Sequence, residues 1–205
     1  MRTYQAVLFD FDGVLADTEQ VHFACWAEAL RPVGVELDWE TYQEHYIGVT
    51  DRVLIEYLCS QTDPPLHFDR LWRQFPHKQQ LFRQRMLVEP PISAQVIDFI
   101  KSLQEYKLAV VTSSARSEIE PALQRAGIAG CFGAIVCAED VRRHKPAPDA
   151  FLLAAKRLGV ERVLVVEDSA PGLEGGTAAG FDVVEIREAR RMPEVVRAKL
   201  AGNSR

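Results

Sequence analysis

Two kinds of hydrophobic pattern alternate along this chain. Short, uncharged apolar runs at Tyr4–Phe9, Leu108–Val111, Ala134–Cys137, Val163–Val166 and Val183–Ile186 predict buried strands. Stretches whose apolar residues return every three or four positions predict helices at Val21–Leu30, Trp39–Tyr46, Arg52–Cys59 and Phe68–Met86. Further helices are expected at Val96–Leu103, Ser117–Ala126, Pro148–Leu158 and Gly172–Ala179, and again in the polar tail from Glu188. Gly127 and Gly159 stand just past two of these segments, where a left-handed stop is expected. Asp51 is placed to cap the third helix, and Thr62-Asp63-Pro64-Pro65 breaks the chain after it.

The order of elements sets the architecture. After the first strand comes an all-helical stretch, and from Glu89-Pro90-Pro91 onward strands alternate with helices. That alternation predicts a doubly wound parallel α/β sheet with helices on both faces. The expected core is 1–15 plus 88–205, a Rossmann-like α/β domain, and 16–87 is a small inserted helical cap.

Composition narrows the class. The chain has 205 residues, 47% hydrophobic and 26% charged, with a net charge of −5. No basic face stands out, which argues against nucleic acid. Cys25, Cys59, Cys131 and Cys137 form no C-x-x-C pair, so reduced thiols are expected rather than a zinc site or a disulfide framework. No apolar stretch reaches the roughly 18 residues that span a bilayer. The first ten residues lack a signal peptide's pattern. A cytoplasmic protein with no membrane partner, a monomer or weak dimer, is the expectation.

The chemistry gathers after the strands. The first strand runs directly into Val7-Leu8-Phe9-Asp10-Phe11-Asp12-Gly13. Two carboxylates about 4 Å apart repel by about 4 kcal/mol at an effective dielectric of 20, so Asp10 and Asp12 call for positive charge. Thr112-Ser113-Ser114 follows the second strand, Lys145-Pro146-Ala147-Pro148 the third, and Glu167-Asp168-Ser169 the fourth. Strand carboxyl ends of a parallel sheet converge on one crevice, so these residues should meet. Asp10, Asp12, Glu167 and Asp168 are hard oxygen donors that suit Mg²⁺. Lys145 adds a positive charge, and Thr112 and Ser113 offer donors for phosphate oxygens. One carboxylate could attack phosphorus while the other moves the proton.

D-F-D-G-V, the hydroxyl after the second strand, the lysine loop and V-E-D-S-x-x-G resemble the four motifs of the haloacid dehalogenase superfamily, in its branch with a helical cap after the first strand. That branch includes sugar phosphatases and β-phosphoglucomutase. The resemblance implies that Asp10 is the nucleophile, Asp12 the acid/base, Thr112 the motif-two hydroxyl and Lys145 the lysine. It implies a Mg²⁺ site built from Asp10, the backbone carbonyl of Asp12, Glu167 and Asp168. Substrate contacts are expected from Ser113, Ser114, His22 and Gly48, with His22 and Trp26 near the cap hinge, and Arg116 and Arg52 are candidates for a distal substrate charge. Lys78, in a polar stretch, ranks last among the candidates for a distal charge. Trp26, Trp39 and Trp72 read as cap core. Asp51 and Ala115 stand where β-phosphoglucomutase has basic residues, with Arg52 and Arg116 each one position late, which weighs the resemblance toward the phosphatases.

The expected activity is therefore hydrolysis of a small phosphorylated metabolite, such as a sugar phosphate, through an aspartyl-phosphate. A β-phosphoglucomutase-like mutase is the alternative. A non-catalytic phosphometabolite-binding protein is a third reading, and the intact Asp10/Asp12 pair argues against it.

Overall fold

The structure, a computed structural model, describes residues 4–46, 51–61 and 64–202. It divides into two units, 1–17 with 89–205, and 18–88. Among the described residues no helix is long and apolar enough to cross a membrane.

The first unit begins with β1 (Ala6–Phe9), whose four residues are all buried. Chain 18–88 then forms α1 (Glu19–Leu30), α2 (Trp39–His45), α3 (Asp51–Ser60), α4 (Phe68–Trp72) and α5 (Phe75–Val88). The first unit resumes with α6 (Ala94–Ser102), β2 (Lys107–Val111), α7 (Arg116–Arg125), β3 (Ala134–Val136), α8 (Asp149–Leu158), β4 (Val163–Glu167), α9 (Ala170–Ala178), β5 (Asp182–Glu185) and α10 (Met192–Gly202). The five strands pair in parallel in the order β3-β2-β1-β4-β5. The order reverses at β1, which lies between β2 and β4, and such a reversal opens a crevice at the strands' carboxyl ends.

Both faces of the sheet are covered. Ala6, Leu8, Ala109, Val111, Val163 and Val165 share a core with Phe151, Ala154 and Leu158 of α8. Val7, Phe9, Val110, Leu164 and Val166, alternating with them along the strands, are equally inaccessible. This double burial is why the strands read as continuous apolar runs rather than as alternating ones.

The α8 stop is as expected, with Gly159 at φ +64°. The expected helix Phe68–Met86 is instead two, broken at Arg73 and Gln74. Pro76 is the cause: it has no N–H for the carbonyl four residues back, and its ring would crowd that carbonyl. Asp51 is the first residue of α3 rather than its cap, and its carboxylate reaches across the unit. It accepts from Trp26 Nε1 at 2.6 Å and pairs with Lys78 Nζ at 3.0 Å. Lys78, expected among exposed basic residues, is 1% exposed and lies 5.4 Å from the Phe82 ring. Its partner explains the burial, since a buried ammonium needs a counter-charge. Trp26 is fully buried, and Trp39 and Trp72 pack against the same helical core.

Candidate active site

The site is built where β1, β2 and β4 end. Asp10 follows β1, and its N–H still donates to Val166 O of β4 at 2.9 Å. The chain then folds tightly, with Ala16 N–H donating to Phe11 O and Gly13 N–H to Ala16 O. Gly13 turns at φ +73°, and a Cβ there would lie 1.8 Å from Asp168 Oδ2. Glycine is therefore required at this position both for the turn and for the approach of the Asp168 carboxylate.

Lys145 links the strand ends. Its ammonium donates to Asp10 Oδ1 at 2.5 Å, to Val111 O at 2.9 Å and to Glu167 Oε1. These three bonds use all three of its protons. Burial alone would lower the Lys145 pKa, but Asp10 and Glu167 outweigh it and hold the group above its ordinary value. The Asp10 carboxyl is pushed well above the usual carboxylate range, chiefly by burial. Lys145 opposes that shift, and Glu167, Asp12 and Asp168 add to it.

Glu167 is wholly inaccessible and anchored on both oxygens. While Oε1 takes Lys145, Oε2 accepts from Asp168 N–H at 3.2 Å and from the Ser169 hydroxyl at 3.1 Å. The same Ser169 oxygen caps α9 by accepting from Gly172 N–H at 3.2 Å. The motif reading passed over Ser169, although a serine preceding Ala170-Pro171 is an N-cap signal. A Cβ on Gly172 would sit 2.0–2.1 Å from the Glu167 carboxylate, so only glycine lets α9 come this close.

Oxygens of Asp10, Glu167 and Asp168 all lie within 4.8 Å of one another and could hold a metal ion. The donor set is all oxygen, and with Asp12 beside it four carboxylates share the single ammonium of Lys145. Both observations fit a hard divalent cation.

Thr112 is buried at the end of β2, where its N–H donates to Val136 O. Its hydroxyl oxygen accepts from Ser114 N–H at 3.0 Å, which directs its own proton elsewhere. Ser113 is exposed. The Ser114 hydroxyl donates to Asp12 Oδ2 at 2.6 Å. Thus Asp10, Asp12, Thr112, Ser114, Lys145, Glu167 and Asp168 are linked at one edge of the sheet.

The remaining expected contacts have other surroundings. Arg116, at the start of α7, bonds Glu120 at 2.7 Å, Asp140 at 2.5 Å and Ile135 O at 3.2 Å. A guanidinium so engaged ties α7 to β3 and the turn after it. In the second unit, Arg52 pairs with Glu56 one turn on and covers the Phe68 ring. His22 stacks on Phe82 at 4.2 Å. Gly48 lies outside the described residues.

Residues 7–186 match the family model described as haloacid dehalogenase-like hydrolase. The chain is 34% identical over 192 residues to the fructose-1-phosphate phosphatase YqaB of Escherichia coli, covering 90% of this chain and 97% of that protein. Among solved structures, CbbY from Rhodobacter sphaeroides in complex with phosphate is similar at a TM-score of 0.72 and 27% identity, over 88% of this chain and 85% of that one. A putative phosphoglycolate phosphatase from Lactobacillus plantarum shares the fold at a TM-score of 0.79 and 19% identity, over 97% and 91% of the two chains. The chain belongs to the haloacid dehalogenase-like hydrolases.

Proposed function

We propose that this protein is a Mg²⁺-dependent phosphatase of a small sugar phosphate, working through an aspartyl-phosphate on Asp10. The observation that carries the reading is the Asp10 carboxylate, held by Lys145 within a cluster of acids at the carboxyl edge of the sheet. Its similarity to a fructose-1-phosphate phosphatase over nearly the full length of both chains supports the substrate class.

Lys145 fixes Asp10 through Oδ1 and supplies positive charge beside the attacking group. An Asp10 oxygen forms a bond to phosphorus while the bond to the sugar oxygen breaks. Asp12 delivers a proton to that departing oxygen, which typically contributes about 10²–10⁴ in rate. Asp12 then takes a proton from water as it attacks the phosphoryl group, the Asp10–phosphorus bond breaks, and inorganic phosphate leaves. Thr112 offers its hydroxyl to a non-bridging oxygen. Asp10, the Asp12 carbonyl, Glu167 and Asp168 would hold Mg²⁺, which when bound neutralises charge on the transferring phosphoryl group.

The mutase alternative needs a second cationic clamp for a second phosphate. Arg116 and Arg52, the candidates for it, are each engaged with carboxylates of their own units. This supports a hydrolase over a mutase.

The test is phosphate release from a panel of fructose 1-phosphate, glucose 6-phosphate, glycerol phosphate and p-nitrophenyl phosphate, with Mg²⁺ or with chelator. Turnover with Mg²⁺ that disappears with chelator and in Asp10→Asn is expected. Protein inert toward every ester in a broad panel would refute the reading.

A further inference from the structure

We propose that Ser114 is the positioning residue of the proton donor. Its hydroxyl serves the Asp12 carboxyl rather than the substrate phosphate. The inference rests on the phosphatase reading above.

The geometry is specific. Ser114 Oγ lies 2.6 Å from Asp12 Oδ2, joining residues 102 positions apart. Ser114 is itself held at both sides of its backbone: its N–H donates to Thr112 Oγ1 at 3.0 Å, and its carbonyl accepts from Ala138 N–H at 3.1 Å. Those bonds fasten it to the end of β2 and to the turn after β3. Asp12 sits in the tight Phe11–Ala16 loop, closed by bonds from Leu15 and Ala16 N–H to Phe11 O. Two supported backbones thus meet at this short hydrogen bond, which favours one orientation of the Asp12 side chain.

A serine hydroxyl has a single proton to donate. A phosphate dianion presents acceptors, so Ser114 cannot donate to it and to Asp12 at once. Without Ser114 the Asp12 carboxyl loses this contact, and the orientation that presents it to the departing oxygen is held less firmly.

The consequence depends on the leaving group. An alkoxide such as a sugar oxygen departs only with a proton, whereas p-nitrophenolate departs readily without one. Loss of Ser114 should therefore be felt on sugar phosphates and scarcely on p-nitrophenyl phosphate. The ratio kcat/KM is the quantity to read, because it reports steps up to departure of the leaving group and excludes hydrolysis of the phosphoenzyme.

The experiment compares wild type, Ser114→Ala, Ser114→Cys and Ser114→Thr on p-nitrophenyl phosphate and on the sugar phosphate of the panel that wild type turns over fastest. Ser114→Ala is expected to lose about 10- to 100-fold in kcat/KM on the sugar ester, part of the usual general-acid contribution. It should lose less than about threefold on the aryl ester, with KM for both nearly unchanged. Ser114→Thr, which keeps the hydroxyl, should restore most of the loss. Ser114→Cys, close in shape but a weak donor, should show the same selectivity as alanine, and decides the matter if alanine disturbs folding. An equal loss on both esters, a rise in KM on both, or full activity of Ser114→Ala on the sugar ester would overturn the assignment. Wild-type protein inert on all esters would instead overturn the phosphatase reading.

Discussion

The buried ion pair of the helical unit makes an asymmetric prediction about stability. Lys78 on α5 has a side chain 2% exposed, while that of Asp51 on α3 is 31% exposed. The ammonium lies 3.0 Å from Asp51 Oδ1 and 3.2 Å from Oδ2, with the Trp26 ring 5.7 Å away. At 3 Å and an effective dielectric of 20 the attraction is about 5 kcal/mol before the cost of desolvation. Asp51→Asn removes the counter-charge and leaves a cation with almost no water, a change that costs about 3–5 kcal/mol. Lys78→Met removes the cation instead. Its side chain still fills the space of the lysine stem, and Asp51 keeps both partial hydration and the Trp26 N–H at 2.6 Å. That change should cost only about 1–2 kcal/mol. All three tryptophans, Trp26, Trp39 and Trp72, lie in this unit, so urea unfolding followed by tryptophan fluorescence reports on it directly. With a slope of about 1–2 kcal/mol per molar urea, Asp51→Asn should move the midpoint down by about 2–3 M and Lys78→Met by about 1 M. A Lys78→Met loss equal to or larger than that of Asp51→Asn would refute the reasoning, because it would place the energetic weight on the more solvated partner.

Three further outcomes are expected. Mg²⁺ at a hundredfold over its Kd should stabilise the chain by about 2.7 kcal/mol in thermal unfolding, and Asp168→Asn should lose most of that gain; equal Mg²⁺ shifts in both proteins would place the cation elsewhere. Gly172→Ala would put a Cβ about 2 Å from the Glu167 carboxylate, displacing the group that holds Lys145, so phosphatase activity should fall by about 100-fold or more, and near-normal kcat would count against the Glu167–Lys145 linkage. Burial pushes the Cys137 thiol from 9.0 up to about 12, with Arg116 opposing the shift. The unfolded thiol then releases its proton at lower pH than the folded one, so its share of stability is complete below pH 9 and declines as pH rises from 9 toward 12. Urea midpoints measured across that window in wild type and Cys137→Ala should converge as pH rises, and parallel curves would contradict the assignment.

Much of the core could be read in advance because its signals are local. A strand buried on both faces must be apolar at every position, and the five runs that meet this condition became β1 to β5 with ends displaced by one or two residues. The carboxylates and Lys145 were legible for a related reason. Charged residues immediately after such strands can be tolerated only where their charges meet, and a parallel sheet brings those ends to one edge. The helical unit was less legible. The periodicity of 68–86 continued through a break that Pro76 imposes, and Lys78 looked solvent-facing because its neighbours Gln79 and Gln80 are polar.

Pairings were the part hidden from inspection of the chain. Ser114 and Thr112 have similar hydroxyls two positions apart, yet one donates to Asp12 while the other accepts from a backbone amide. Arg116 bonds Glu120 one turn on and Asp140, 24 positions away, and only the second pairing needed the assembled fold to be seen. Periodicity and the succession of elements follow from which residues can leave water, and that property belongs to each residue wherever it stands. The partner of a given hydroxyl or ammonium depends instead on which of several equally competent groups lies within 3 Å in the required direction, and only the assembled backbone and its rotamers set that distance.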